Sequence, residues 1–277
     1  MTFDPFGDFA TRGYLRNKAG LHDPDAVKTF EHTAFLDKLD DALAYLRSAK
    51  RLTYNHVSRV HKIIFEDVYP WAGQDRAQTA PDIAVTKGRV LFAHPNDARA
   101  AVDYALRLGQ DKAIMASRPG EVMGYLAYGH PFLDGNGRTI MTVHAALAQR
   151  AGISIDWAST DKTAYLTALT AEIDEPGRFH LDTYLKPFVR PSLGHDLLAG
   201  NIAQIAGLDG RSAPAEPSVV LGRFSEPKVQ TRYQLQQNRR QRTAPKPAQS
   251  EAVAQPTPTR PVPKKKKSRK TKPDAQP

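Results

Sequence analysis

Apolar residues recur every three or four positions along most of the first 200 residues of this chain, which is the spacing of one face of an α-helix. In residues 30–48 the stripe consists of Phe35, Leu36, Leu39, Ala42, Leu43 and Leu46. Comparable stripes predict further helices at 54–65, 97–109, 119–128, 139–149, 160–173, 179–187 and 197–207. Asn96 is expected to cap the helix at 97–109. The chain is therefore predicted to be mainly α-helical.

A strand-like pattern is found between residues 79 and 95. Ile83 to Thr86 and Arg89 to Phe92 favour strands, and Lys87-Gly88 between them favours a turn. This segment predicts one short β-hairpin within the helical fold.

Composition fits a folded domain with an extension. The chain has 277 residues, of which 40% are hydrophobic and 25% charged. The absence of cysteine excludes disulfides, thiolate metal sites and a cysteine nucleophile. The first residues do not resemble a cleaved signal, and no apolar run approaches the ~20 residues that cross a bilayer. We expect a cytoplasmic protein without a membrane partner.

The net charge of +10 is distributed unevenly along the chain. Residues 211–277 carry +12, which leaves −2 for the rest, and hold 11 of the 21 prolines. We predict a domain at 1–195, a short helical or irregular extension at 196–240, and a disordered Pro/Lys/Arg-rich tail at 241–277. Residues 233–242 are expected to be too polar to form a core. The basic tail could solubilise the protein, bind nucleic acid, direct it to a nucleus, or serve as a secretion signal.

The run His130 to Arg138 (HPFLDGNGR) contains the groups that phosphate chemistry requires. Gly135 and Gly137 allow successive backbone N–H groups to face an anion, and the following helix adds its positive N-terminus. Arg138 can bind a phosphate oxygen through its planar guanidinium. Asp134 is a hard oxygen ligand suited to Mg²⁺. His130 can accept a proton near neutral pH, so it is the candidate general base.

These nine residues resemble the signature of the Fic family, His-x-Phe-x-Asp/Glu-Gly-Asn-Gly-Arg-x-x-Arg. The resemblance implies a helical bundle with a hairpin flap and transfer of a nucleoside monophosphate, most often AMP from ATP, to a hydroxyl side chain of a target protein. By position, His130 would deprotonate that hydroxyl and Asp134 would hold Mg²⁺, while Asn136 and its flanking glycines would cradle the phosphates. Phe132 would anchor the loop. Met141 replaces the second arginine of the signature.

A second match precedes the hairpin. Val68 to Arg76 (VYPWAGQDR) is similar to the Tyr-Pro-Trp-Ala-Gly-x-x-Arg stretch of Fic proteins. The resemblance implies that the hairpin is a flap that pairs with the backbone of the target segment. The residues predicted to face the target are Ile83, Val85, Lys87 and Arg89. Tyr165 would contact the base or ribose, with a core position as the alternative.

Fic proteins are often inhibited by a helix carrying Ser/Thr-x-x-x-Glu-Gly/Asn, and this sequence has no such segment. Two explanations account for the missing inhibitory helix. An antitoxin supplies it, or the enzyme needs no inhibition in its own cell because it acts in another one. Basic C-terminal tails also occur on Fic effectors of type IV secretion systems, so export into a recipient or host cell through secretion machinery is a second expectation. The predicted function is protein nucleotidyl transfer, as a toxin or an effector. The alternatives are a different donor, either another NTP or a diphosphate-linked group, and a catalytically weak binding module.

Overall fold

The computed structural model describes residues 15–208 and 219–244 and is mainly helical there, as predicted. The helices are α1 (Pro24–Ser48), α2 (Tyr54–Phe65), α3 (Arg76–Thr79), α4 (Pro95–Gln110), α5 (Lys112–Ser117), α6 (Pro119–Gly129), α7 (Asn136–Arg150), α8 (Lys162–Asp174), α9 (His180–Leu185), α10 (His195–Ala203) and α11 (Pro227–Thr243). The strands are β1 (Ile83–Lys87), β2 (Val90–Leu91), β3 (Ile153–Ile155), β4 (Val189–Pro191) and β5 (Val219–Arg223).

Helix starts follow from local side-chain chemistry. The Asp23 carboxylate caps α1 by accepting from the backbone N–H groups of Asp25 and Ala26. The predicted cap at Asn96 is wrong, because His94 holds that position and its Nδ1 accepts from the Asn96 N–H at 3.2 Å. Proline suits the first helical position, because its ring fixes the φ angle of a helix and the N–H group it lacks would have no partner within the helix there. Helix α4 therefore begins at Pro95, before Asn96.

Helix α7 lies at the centre of the fold and packs against α1, α2 and α6. Nearly all of its side chains are buried, and the apolar ones are Ile140, Met141, Val143, Ala145, Ala146, Leu147 and Ala148. An enclosed helix has a fixed N-terminus, so the loop that enters α7 is held in place by the core.

The predicted hairpin is present. Strands β1 and β2 pair antiparallel, with Thr86 opposite Leu91 and Lys87 opposite Val90. A third strand that the sequence did not predict, β5, pairs antiparallel with the other side of β1, so the strand order is β2-β1-β5. Strands β3 and β4 form a separate two-stranded sheet.

The expectation that residues 233–242 are too polar to join a core is wrong. They belong to α11, in which Gln236 and Arg240 are buried because backbone carbonyls of Leu91 and Ile173 accept their hydrogen bonds. Helix α11 also extends to Thr243, into the tail predicted to start at residue 241. The rest of that tail, residues 245–277, lies outside the described residues. In the part of the chain that is described, no helix combines the length and apolarity needed to cross a bilayer.

Candidate active site

The loop between α6 and α7 contains two residues in the left-handed backbone region. His130, the residue after α6, has φ 41°, and Gly135, the residue before α7, has φ 72°. A non-glycine residue at positive φ is strained, and such strain concentrates at functional sites. Both turns lie in the loop that joins α6 to α7, two helices that pack against each other.

The Asn136 side chain braces this loop. Its Oδ1 accepts from the Phe132 N–H at 2.9 Å, and its Nδ2 donates to the Phe132 carbonyl at 2.7 Å. Phe132 is fully buried, which agrees with its predicted role as an anchor. Because the Asn136 amide is used within the loop, the predicted phosphate contact of this residue would come from its backbone N–H.

The glycines of the motif differ in what surrounds them. A Cβ atom on Gly135 would lie 2.3 Å from a ring carbon of Phe65, so only glycine fits. A Cβ atom on Gly137 would meet nothing within 4 Å. The backbone N–H groups of the first helical turn have no partner within their own helix. The start of α7 is therefore a suitable anion site of the predicted kind.

The His130 imidazole stacks on Phe92, with ring centroids 3.7 Å apart and planes 8° apart. Burial, followed by the positive charges of Arg76 and Lys87, lowers the pKa of His130 well below its usual value. The ring is thus neutral at physiological pH and has a lone pair that can accept a proton. Its stacking partner follows β2, so the hairpin directly orients the candidate base.

Arg76 is the last residue of Val68 to Arg76, the second segment that resembles Fic proteins. It connects the hairpin to the loop between α6 and α7. Its side chain donates to the carbonyls of His130 and Ala93, each at 2.8 Å, and its backbone N–H donates to the Pro131 carbonyl at 2.7 Å. Burial lowers the pKa of Arg76 to about 10, which leaves it charged. This fully buried arginine positions the backbone of the candidate base.

Arg138 forms a buried ion pair that the sequence did not predict. An Nη2 to Oε2 distance of 3.0 Å joins it to Glu31 on α1, and its guanidinium lies over the Phe65 ring. The Tyr69 hydroxyl donates to the other Glu31 oxygen at 2.6 Å. Burial, followed by the charge of Asp134, raises the pKa of Glu31. One edge of the Arg138 guanidinium is therefore engaged, and the predicted phosphate contact would use its remaining donors.

Asp134 is positioned by a buried histidine. The Asp134 carbonyl accepts from His61 Nε2 at 3.0 Å, while His61 Nδ1 accepts from the Gly73 N–H at 2.8 Å. Burial lowers the pKa of His61 to about 3, so the ring is neutral with its proton on Nε2. The Asp134 side chain itself is 50% exposed, as a carboxylate that binds a metal together with a substrate should be.

Two other residues of interest lie in the core. Met141 is buried beside the loop, so an apolar side chain occupies the place of the second arginine of the signature. Tyr165 packs edge-on against Trp157 with centroids 5.6 Å apart, and burial raises its pKa. This packing favours the core alternative for Tyr165, and its contact with a nucleotide stays a prediction.

The predicted target-facing residues of the hairpin have different surroundings. Val85 is buried against the core with Phe92, whereas Ile83 and Lys87 are half-buried. Arg89 is exposed and pairs with Asp174 at 3.0 Å. The positive charge of Lys87 contributes to the lowered pKa of His130, and the charge of Asp134 acts on Lys87, so Lys87 is electrostatically coupled to the candidate site.

Sequence reasoning missed Glu31, His61 and the pairing of β5. For His61 a signal existed, because a polar residue interrupts the apolar face of α2. Glu31 likewise interrupts the buried face of α1. A polar residue on an otherwise apolar helix face indicates that its side chain has a polar partner in the core, although the pattern does not identify that partner.

Comparison with known proteins supports the predicted resemblance. Residues 51–148 match the family model described as Fic/DOC family. Protein adenylyltransferase VbhT of Bartonella schoenbuchensis is 32% identical over 171 residues, which cover 56% of this chain and 32% of VbhT. The probable protein adenylyltransferase y4lH of Sinorhizobium fredii is 28% identical over 165 residues, which cover 56% of this chain and 81% of the relative. The chain thus spans about a third of the length of VbhT.

Solved structures support the fold. The Fic domain of a VirB-translocated Bep effector from Bartonella quintana, determined with bound ADP, superposes with a TM-score of 0.53 and 20% identity over 68% of this chain and 96% of that chain. BepC from Bartonella tribocorum, determined with bound AMPPNP, gives a TM-score of 0.51 and 19% identity over 65% and 93% of the two chains. The predicted Fic fold is confirmed.

Proposed function

We propose that this chain, whose residues 51–148 match the Fic/DOC family model, transfers AMP from ATP to a hydroxyl side chain of a target protein. The observation that carries the proposal is the position of a buried neutral imidazole, His130, at one end of a loop whose other end is the N-terminus of α7. A base and an anion site five residues apart suit attack on a phosphate. Two relatives named as adenylyltransferases support the choice of AMP.

The chemical step follows from these positions. The target hydroxyl oxygen forms a bond to the α-phosphorus while the bond from that phosphorus to the pyrophosphate oxygen breaks, and His130 takes the hydroxyl proton. The backbone N–H groups at the start of α7 and the Arg138 guanidinium stabilise the charge on the departing pyrophosphate. The products are the AMP-modified protein and pyrophosphate. Positioning of the reactants and stabilisation of the developing charge provide most of the rate acceleration in such a reaction.

The residues present fit a magnesium ion that is shared with the donor. Mg²⁺ in nucleotide sites is held by one or two carboxylates together with phosphates and waters, and Asp134 offers one half-exposed carboxylate beside the anion site. Among the described residues, no three His, Asp or Glu side chains cluster to hold a metal alone. Bound there, the ion would neutralise phosphate charge.

Because Met141 replaces the second arginine of the signature, we also propose a second class of donor for the same reaction. Its buried thioether cannot pair with a terminal phosphate, whereas an arginine at this position would contribute about 1.5–3 kcal/mol through charge-assisted hydrogen bonds. A diphosphate-linked nucleotide, which has no free terminal phosphate to bind, therefore stays in the proposal as an alternative donor. An NTP other than ATP stays in it as well, because the phosphate contacts do not select the base.

The partners proposed for this chain are proteins. One is the target, whose segment would align with the hairpin at Ile83, Val85, Lys87 and Arg89. An antitoxin that supplies an inhibitory helix, and secretion machinery that recognises the basic tail, are the others. The Bep relatives are named as VirB-translocated effectors, which supports testing export.

The experiment compares purified protein with its His130→Ala variant in lysate that contains Mg²⁺ and one α-³²P-labelled NTP at a time. We expect one nucleotide to label protein in a manner that requires His130. The same lysate treated with an established adenylyltransferase controls for available targets. If no nucleotide gives His130-dependent label while that control succeeds, the proposal is wrong. A catalytically weak binding module would then be favoured.

A further inference from the structure

The C-terminal segment, defined as residues 219–243, occupies the outer edge of β1. Strand β5 pairs with β1 along its length, from Ile83 opposite Arg223 to Thr86 opposite Val219. The Ser225 backbone N–H and hydroxyl both donate to the Asp82 carboxylate, the hydroxyl at 2.7 Å. Since β1 also pairs with β2, neither side of this strand is open to another chain.

The same segment covers the edge of β2. The Gln236 side chain accepts from the Leu91 N–H at 2.9 Å and donates through Nε2 to the Leu91 carbonyl. An amide that bonds both groups of one residue replaces the backbone of a neighbouring strand. Arg232 donates in addition to the Arg89 carbonyl at 3.2 Å. Both edges of the hairpin are therefore filled by residues 219–243.

The attachment of this segment is largely polar. Phe224 and Val229 are its buried apolar side chains, packed with Ala84 and Leu91. Leu235 is 62% exposed, and the other buried side chains of α11 are polar. A segment that buries few apolar groups opens at a lower free energy than the core. We therefore expect the contacts of residues 219–243 to break more readily than those of α7.

We propose that residues 219–243 act as an intramolecular substitute for a target strand, and that a target pairs with the hairpin only after this segment is displaced. The inference rests on the proposed function, because it concerns access to the same site. Strand addition requires a free edge with unpaired N–H and C=O groups. In the structure those groups are paired with this chain itself. The segment therefore keeps the enzyme in a low-activity state.

A reversible lock tests the proposal. The natural chain has no cysteine, so Asp82→Cys with Ser225→Cys introduces one defined pair where two exposed side chains already meet. We expect the oxidised full-length double variant to label target protein at least tenfold more slowly than its reduced form. The reduced form should label at least as fast as the natural protein. The natural protein under the same oxidant and reductant is the control. Equal labelling by the oxidised and reduced forms would overturn the proposal.

A second variant tests the β2 edge. Gln236→Ala removes both bonds to Leu91, and we expect it to lower the KM for target at least threefold. Gln234→Ala on the exposed face of the same helix is the matched control and should leave the KM unchanged. An unchanged or raised KM in Gln236→Ala would contradict the proposal.

Amide hydrogen exchange separates this proposal from the proposed function, since it needs no activity. The Leu91 N–H is bonded to the segment, whereas the neighbouring Phe92 N–H is bonded within the hairpin to Val85. We expect Leu91 to exchange at least tenfold faster than Phe92, and oxidation of the lock to slow it. If both amides exchange at the rate of the α7 core, the segment does not open separately and the proposal fails. Absence of labelling in every form would instead contradict the proposed function.

Discussion

Glu31 on α1 and Arg138 on α7 form an ion pair inside the core, with 3.0 Å between Glu31 Oε2 and Arg138 Nη2. Tyr69 completes the cluster through its hydroxyl. Arg138, the arginine of the predicted phosphate site, is therefore held by a helix near the start of the described chain. This relationship links the stability of the fold to the geometry of the site.

Replacing Glu31 with glutamine should destabilise the protein strongly. The substitution leaves the buried, charged Arg138 with the half-exposed Asp134, 3.9 Å from its Nη2, as its remaining counterion, and breaking a buried pair costs about 3–5 kcal/mol. We expect a loss of about 3 kcal/mol in the free energy of unfolding from urea titration, because the amide oxygen still accepts one hydrogen bond. Asp25→Asn is the control on the same helix. It breaks the exposed pair with Lys28 and should change stability by less than about 1 kcal/mol. Similar losses in the two variants would contradict the buried-pair interpretation.

The stability of the protein should depend on the protonation of Asp182. Burial raises the pKa of Asp182 to about 6, and its carboxylate accepts from the Gly120 and Glu121 N–H groups at the start of α6. A carboxyl group with a raised pKa in the folded state stabilises the fold while it is protonated. Its contribution is complete below the unfolded pKa near 4 and is lost as the pH rises through about 6.

Comparison with Asp182→Asn isolates this contribution. We expect the stability of the natural protein relative to the variant to fall by about 1–2 kcal/mol between pH 4 and pH 7, allowing for partial solvent screening. Urea titrations of both proteins across that range provide the measurement. If the stability of the natural protein relative to the variant stayed constant or increased with pH, the predicted direction of the pH dependence would be wrong.

The two glycines of the motif should respond differently to alanine. Gly135→Ala places a methyl group on the Phe65 ring and forces a side chain into the left-handed region, which costs about 2 kcal/mol or more. Gly137→Ala meets open space in the first turn of α7 and should raise helix stability by up to about 1 kcal/mol. Thermal unfolding measures both. Equal melting temperatures for the two variants would refute the packing argument for Gly135.

His61 should affect the rate of transfer although it lies outside the motif. His61→Phe keeps an aromatic ring stacked on Phe132 but removes the bonds to Gly73 and Asp134, which leaves two polar groups unpaired at about 1–3 kcal/mol each. We expect target labelling to slow at saturating ATP more than the KM for ATP rises, because the loop is misplaced.

His144→Phe is the matched control for His61. It removes one buried hydrogen bond, to the Pro119 carbonyl, from a position further along α7. It should lower stability while leaving the labelling rate within about twofold, the change expected when no group at the reacting centre is lost. If His144→Phe slows labelling as much as His61→Phe, the effect reflects general destabilisation.

Local patterns determined much of this protein from its sequence. The 3.6-residue periodicity predicted the helices because burying one face of each helix is the main requirement of a helical fold. The α2 prediction matches the structure from Tyr54 to Phe65. The anion-binding loop from His130 to Arg138 could also be predicted from the sequence, because its turns and the helix that follows depend on residues close together in the chain.

Tertiary structure alone decided which distant residues complete the site. The pairing of Glu31 with Arg138 and of His61 with Asp134 depends on how α1 and α2 pack on the central helix, and no local pattern encodes that choice. The polar helix α11 gave no apolar signal, because Gln236 joins the core through hydrogen bonds. Hydrophobic periodicity reports which faces are buried, whereas the partner of each buried polar group is set by packing across the whole fold.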